Sequence, residues 1–215
     1  MARLEVLSLP NGAFQENCFI VADRDAAAAV LVDPGEEADR FLRTLADEDL
    51  TLTAVWLTHA HIDHVLGVRR IVDQTGVSVW LHPDDRRLYD GAAAQGAWFG
   101  IKADPPPTPD HELAHGDHVR VGDLEFEVRH VPGHSPGSVA FVGHGVALVG
   151  DALFAGSVGR VDLPGGDGAT LLRSIREQLL ILPDDTVVYS GHGPETTIGR
   201  ERTSNPFLTG AFPLE

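Results

Sequence analysis

The sequence predicts a mixed α and β fold. Short apolar runs recur between clusters of Gly, Pro, Asn and Asp, as buried strands do, and longer segments carry apolar side chains at helical spacing. A hydrophobic content of 43% against 22% charged residues is that of a soluble globular protein. A length of 215 residues fits one domain, 1–215, with a sizeable core.

In chain order, Leu4 to Leu9, Asn17 to Ala22 and Ala29 to Val32 read as strands, the first two separated by the turn residues Pro10-Asn11-Gly12. Glu36 to Ala46 sets Ala38, Phe41, Leu42 and Leu45 at helical spacing. Ala54 to Leu57 is a short buried strand. Val65, Val68, Ile71 and Val72 then suggest a helix opening near His64. Val77 to Leu81 is a strand, and Pro83 to Asp90 starts another helix. Between Gly91 and Pro109 the periodicity disappears, first into Ala and Gly and then into Pro105-Pro106-Pro107. This predicts a surface loop and a candidate cover for a site. Strands resume at His118 to Val121, Leu124 to His130, Val139 to Val142 and Val146 to Val149. A helix over Ala169 to Leu182 ends before Pro183, and Thr186 to Ser190 is the last clear strand.

The formal net charge is −16. Phosphate binding needs a positive footprint, so nucleic acid and anionic membrane are excluded as expected partners. No apolar run approaches a membrane span, and the early Glu5 in Met1-Ala2-Arg3-Leu4-Glu5 does not suit a secretory signal. Cys18 is the one cysteine, which excludes an internal disulfide and reads as a buried strand residue. A reducing cytoplasm is the simplest location.

The chemistry concentrates in Thr58-His59-Ala60-His61-Ile62-Asp63-His64, directly after a strand. Read as extended backbone, His59, His61 and Asp63 share a face, with His64 one step round. Neutral imidazoles with a carboxylate suit zinc, iron or manganese, and four donors so close together hint at two ions. Chance histidine clusters are common. Here, however, three later segments each end an apolar run in glycine and a donor: Gly133-His134, Gly150-Asp151 and Gly191-His192. Glycine permits a sharp backbone exit close to an ion.

With these motifs, the chain resembles the metallo-β-lactamase superfamily. The resemblance extends through Leu31-Val32-Asp33-Pro34-Gly35, Gly159 to Asp167, Ile198-Gly199-Arg200-Glu201-Arg202 and Asn205-Pro206-Phe207-Leu208, which resemble the glyoxalase II-like branch more narrowly. It implies a four-layer αββα sandwich: two mixed β-sheets flanked by helices, with loops at one sheet edge gathering the donors. It implies that His59, His61 and His134 hold one divalent ion, that Asp63, His64 and His192 hold a second, and that Asp151 bridges both. Zinc is the first expectation for the pair, with iron or manganese as alternatives. Ions about 3.5–4 Å apart acidify a shared water, so a metal-bound hydroxide would be the nucleophile. Asp63 and Asp151 are then the candidate catalytic carboxylates.

Asp33 is the candidate outer partner of a ligating imidazole, with an ordinary turn role as the alternative, and Thr58 is a weaker candidate. His130 is expected to act locally rather than as a ligand. His82, His111, His115, His118 and His144 are expected to be solvated or turn residues. Arg160 could meet an anionic substrate, but pairing with Asp162 is the commoner outcome.

The resemblance implies a small-molecule acyl thioester as substrate, such as S-lactoylglutathione. The long glyoxalase II enzymes add a helical C-terminal extension that grips glutathione, whereas this sequence stops at Glu215, so weak or altered thiol selectivity is expected. The alternative enzyme is a persulfide dioxygenase with one iron at positions matching His59, His134 and Asp151. Lactone or ester hydrolysis also fits a metal-bound hydroxide. A β-lactamase with a cysteine ligand does not fit, because Cys18 precedes every motif. A non-catalytic metal-binding module would be expected to have lost donors, yet all seven positions are filled. The oligomeric state is not written in the pattern.

Overall fold

The computed structural model describes residues 2–213. The chain opens with an antiparallel meander: β1 (Leu4–Asn11), β2 (Glu16–Asp23) and β3 (Ala28–Val32). Helix α1 (Ala38–Asp47) carries the chain to β4 (Thr51–Trp56), parallel to β3. A single helical turn, α2 (Ile62–Val65), and helix α3 (Val68–Thr75) lead to β5 (Ser78–Leu81). A 3₁₀ turn at Pro83–Asp85 precedes α4 (Arg86–Asp90) and α5 (Ala92–Trp98), and β6 (His111–Glu112) completes the sheet in the order β1-β2-β3-β4-β5-β6.

The second sheet is also mixed and six-stranded. It contains β7 (His118–Val121), β8 (Leu124–His130), β9 (Val139–Gly143) and β10 (Val146–Gly150). A small hairpin, β11 (Leu153–Phe154) with β12 (Ser157–Val158), stands apart from it. Helix α6 (Gly168–Ser174) runs into a wider π turn at Ile175–Leu179. Strands β13 (Val187–Ser190) and β14 (Thr196–Thr197) and helix α7 (Ile198–Ser204) follow. The strand order is β14-β13-β10-β9-β8-β7.

The alternation of side chains in β2 explains the layering. Cys18, Ile20 and Ala22 face one way, against Phe41 and Leu45 of α1 and Val68 and Ile71 of α3. Phe19 and Val21 face the other way, into a core shared with Phe126, Val128, Phe141 and Leu148 of the second sheet. Every residue of β2 is buried, as a strand covered on both faces requires. On the far side, Ala147, Val149 and Val188 pack against Leu171, Ile175 and Leu179. Helices, sheet, sheet and helices therefore stack in the expected αββα order.

Several local expectations change. The 91–109 segment is not wholly a loop: Ala92 to Trp98 is helical, because alanine supports a helix even where apolar periodicity is weak. The 169–182 helix is divided between α6 and the π turn. The helix expected from His64 onward is interrupted at Leu66-Gly67, where Gly67 N–H donates to the Pro34 carbonyl at 2.9 Å instead of within the helix, an approach so close that a Cβ on Gly67 would lie 2.4 Å from the Gly35 carbonyl. Strands β6, β11, β12 and β14 have two residues each, too short for periodicity to register. Among the described residues no helix is long and apolar enough to cross a membrane.

Asp23, at the end of β2, ties the sheets together. Its carboxylate accepts N–H bonds from Asp123 at 2.9 Å, Asp25 at 3.1 Å and Ala26 at 3.4 Å, and these bonds, Asp123 first, hold its pKa below the usual value. A depressed carboxyl contributes stability above its unfolded pKa of about 4 and loses it as pH falls through the folded value. Asp23→Asn is therefore expected to lower stability at pH 7 and to flatten the loss of stability below about pH 4. Denaturant midpoints at the two pH values check both.

Candidate metal centre

Four strands end at one edge of the sandwich, and each releases a donor there. His59 and His61 follow β4, His134 follows β8, Asp151 follows β10 and His192 follows β13. The edges are bonded together: Val139 N–H donates to the Thr58 carbonyl at 2.8 Å, and Asn17 Nδ2 donates to the carbonyls of Ser190 and Gly193, each at 2.9 Å. All seven predicted donors converge.

Their local geometry differs from extended backbone. His61 is the extended residue before α2, and Asp63 and His64 lie on that helical turn. The turn, not strand alternation, swings Asp63 and His64 toward the later loops. Gly150 has φ +51°, and a Cβ there would sit 2.2 Å from Thr58 Oγ1, so glycine lets β10 end against the histidine loop.

Hydrogen-bond bookkeeping assigns the imidazole tautomers. His134 Nδ1 donates to the Arg160 carbonyl at 2.8 Å, leaving a lone pair on Nε2. His64 Nδ1 donates to Asp33 Oδ2 at 3.1 Å, leaving one on its Nε2. The Thr58 hydroxyl donates to Asp33 and lies 3.1 Å from His59 Nδ1, which can donate to it, leaving the lone pair of His59 Nε2. These lone pairs face inward. His134 Nε2 lies 3.2 Å from His59 Nε2 and 2.8 Å from His61 Nδ1.

The second group is Asp63, His64 and His192. His192 Nε2 stands 3.2 Å, and His64 Nε2 3.8 Å, from Asp63 Oδ2. Asp151 lies between the groups: Oδ2 is 3.5 Å from His134 Nε2 and 3.6 Å from His192 Nε2, and Oδ1 is 3.4 Å from His64 Nε2. His64 Nε2 and Asp151 Oδ1 are buried without a hydrogen-bond partner. Buried polar atoms without partners are costly, and facing lone pairs repel, so this donor set fits divalent cations.

Electrostatics agree. Burial, reinforced by the neighbouring histidines, holds His59 well below its usual pKa and His61 at about 3, so both are neutral, as ligands must be. Burial opposes charge on His64, yet Asp151, Asp63 and Asp33 together raise it well above normal. Those carboxylates favour a cation there, and a divalent ion would replace the proton.

The outer shell holds the two expected residues, Asp33 and Thr58, and two that the pattern hid. Asp33 accepts from His64 Nδ1 and, at 2.7 Å, from Thr58 N–H. Asp85 is fully buried and accepts from Ala60 N–H at 2.9 Å, Gly137 N–H at 2.6 Å and Ser135 Oγ at 2.8 Å. It clamps the His59–His61 loop to the His134 loop. In the sequence it looks like an ordinary acidic residue at a helix start after Pro83, and only its burial reveals it. Glu16 is also buried. Its Oε2 accepts from Asn11 Nδ2 at 2.6 Å, and its Oε1 lies 3.8 Å from His64 Nδ1.

His82 is buried rather than solvated. Its ring stacks on His130 with centroids 4.2 Å apart and planes 8° from parallel. His82, Asp84 and His130 bring donor atoms within 4.8 Å of one another, but the lone pair of His82 Nδ1 already accepts from Asp84 N–H at 3.3 Å. His130 Nε2 donates to the Pro136 carbonyl at 2.8 Å, the local role expected of it. Arg160 pairs with Asp162 through Nε–Oδ1 at 2.6 Å.

A pocket of about 380 Å³ opens over the centre. Phe14, Phe99, Phe154, Val158 and Leu163 supply its apolar wall; His61, Asp63, His134, Asp151 and His192 lie at its base. Phe99 meets Phe14 edge-on with centroids 5.3 Å apart, so the segment expected to cover the site contributes to it. The β11–β12 hairpin is held by Glu201, which accepts from Gly156 N–H at 2.8 Å, and by Asn205, which donates to the Ser157 carbonyl at 2.9 Å.

A Cβ on Gly191 would lie 2.2 Å from Asp151 Oδ1 and 2.7 Å from His64 Cε1. Gly191→Ala is expected to displace both side chains and weaken zinc uptake by at least about tenfold, the scale of losses from disturbed ligand support. Equilibrium dialysis against the parent protein measures this.

Residues 11–192 match the model of the metallo-beta-lactamase superfamily. The chain belongs to that superfamily. It is 40% identical over 204 residues to the hydroxyacylglutathione hydrolase GloC of Haemophilus influenzae, covering 93% of this chain and 96% of that one. Among solved structures, the BLEG-1 B3 metallo-beta-lactamase superposes with a TM-score of 0.90 at 40% identity, covering 96% of this chain and all of that one. The di-iron-bound form of TTHA1623 gives 0.86 at 42%, over 94% of this chain and all of that one. ETHE1 from Myxococcus xanthus gives 0.81 at 30%, over 96% and 85%.

Proposed function

We propose that this superfamily member is a binuclear metallohydrolase that cleaves an acyl thioester of a small thiol. The observation that carries the reading is the paired donor set with Asp151 between its halves, which fits two ions. The GloC relative supplies the substrate class. His59, His61 and His134 would hold one ion, Asp63, His64 and His192 the other, and Asp151 both. When bound, such ions lower the pKa of water and polarise a carbonyl.

The protein's own groups do the remaining work. Asp33 and the Arg160 carbonyl fix the tautomers of His64 and His134, so their Nε2 atoms point inward. Asp63 Oδ2, 3.2 Å from His192 Nε2, is placed to orient an attacking water. The Phe14, Phe99 and Phe154 wall excludes bulk water and suits the apolar face of an acyl group. A cytoplasmic setting and zinc occupancy belong to this reading.

Elemental analysis of purified protein, beside assays on a thioester panel, tests it. Two ions per chain and efficient thioester turnover are expected; metal uptake without thioester turnover would overturn it. The sequence resemblance supplies a second reading, a mononuclear iron persulfide dioxygenase with its iron on His59, His134 and Asp151. One iron per chain, with oxygen uptake only when a persulfide is supplied, would select it. A β-lactam belongs in the same panel because of the BLEG-1 similarity.

A further inference from the structure

Beside the metal pocket lies a second groove of about 510 Å³, between α4, α5 and the loop that carries His134. The two cavities share Gln95 as a common wall. That wall is rigid: Gln95 is buried, and its Nε2 donates to the Ala60 carbonyl at 3.1 Å and the Leu88 carbonyl at 2.7 Å. Leu88 and Pro136 give the groove apolar surface, and Trp98, 66% exposed, stands over it. An indole this exposed, beside a cavity that shares a wall with the metal pocket, is a stacking surface for a ligand.

The groove also carries opposite charges. The metal pocket and the groove are lined by two arginines, Arg160 and Arg87. Arg160 is occupied by Asp162. Among the described residues, the Arg87 guanidinium has no hydrogen-bond or ion-pair partner, although the chain has 32 acidic residues against 16 basic ones. Asp84 lines the same groove; its carboxylate lies 3.8 Å from His82 Nδ1, an imidazole that burial holds below its usual pKa and so leaves uncharged. A cation and an anion on one groove, not bonded to each other, complement a ligand bearing both charges.

We propose that this groove binds the tail of the thiol carrier and selects a tail that ends as an amino acid, its carboxylate on Arg87 and its ammonium on Asp84, with the chain lying on Trp98. This rests on the thioester reading, whose acyl group would occupy the neighbouring pocket. The groove would then supply a grip on the thiol beside the acyl pocket.

The test pairs S-lactoylglutathione, whose tail carries both charges, with S-lactoyl-N-acetylcysteamine, whose tail carries neither. Arg87→Gln is expected to raise KM about fivefold for the first, the scale of an exposed ion pair. Its kcat, and both constants for the second thioester, should stay within twofold. Asp84→Asn should act the same way. A binding readout stands apart from turnover: S-methylglutathione should shift Trp98 emission to the blue in the parent protein and weakly in Arg87→Gln. No shift in the parent, or an equal KM change for both thioesters, overturns the groove. A shift that depends on Arg87, with neither thioester hydrolysed, keeps the groove and overturns the thioester reading instead.

Discussion

Asp151→Ala is expected to abolish turnover, by at least about a thousandfold, and to halve the metal content or worse. One carboxylate stands 3.4 Å from His64 Nε2 and 3.5–3.6 Å from His134 and His192. Removing it leaves one group of three neutral imidazoles and a second whose one carboxylate is Asp63, little charge to balance two cations. Loss of metal polarisation costs several kcal/mol in the transition state, and each 1.36 kcal/mol is tenfold in rate. Asp151→Asn separates charge from shape: it nearly keeps the volume yet should lose most activity, because an amide cannot supply the negative charge. Metal analysis together with kcat decides it. Retained metal and turnover in both variants would remove the basis of the proposed mechanism.

Asp85→Ala should lower both stability and metal affinity. Its carboxylate is fully buried and serves three donors from two ligand loops. Burial pushes its pKa up, and the bonds from Ser135, Gly137 and Ala60 oppose that. Truncation leaves two buried N–H groups and a hydroxyl without their acceptor, a cost of about 3 kcal/mol. Because the same bonds hold the His59–His61 loop against the His134 loop, metal affinity should also fall by about 10–100-fold. Urea denaturation of the metal-free protein isolates the first effect, and competition with a chelator the second. An unchanged denaturation midpoint would mean that water replaces the carboxylate without penalty.

Much of the centre could be read along the chain because each donor follows a strand in a short Gly-bearing loop. His134, Asp151 and His192 stand next to glycines that end apolar runs, and such punctuation is a local property. Asp33 could be nominated for the same reason. Asp85 and Glu16 could not. Their neighbours suggest a helix start and a strand start, and their importance comes from burial beside residues 25–52 positions away. Extended backbone over His59 to His64 would group Asp63 with His59 and His61, whereas the helical turn at Ile62–Val65 carries it to His64 and His192. The Ala92–Trp98 helix escaped detection because its alanines carry propensity without amphipathic contrast.

The amino-acid order alone determined the donors, their strand-end positions and the family they resemble, because ligand chemistry and turn chemistry are carried by individual residues. Periodicity alone reached only a mixture of helices and strands. Two sheets packed face to face through Phe19, Trp56, Phe126 and Phe141 set the distances between those donors, and the tertiary structure alone decided them. The same packing made the second groove beside the metal pocket. Distances across a fold depend on the register and stacking of elements far apart in sequence, and no local pattern encodes them.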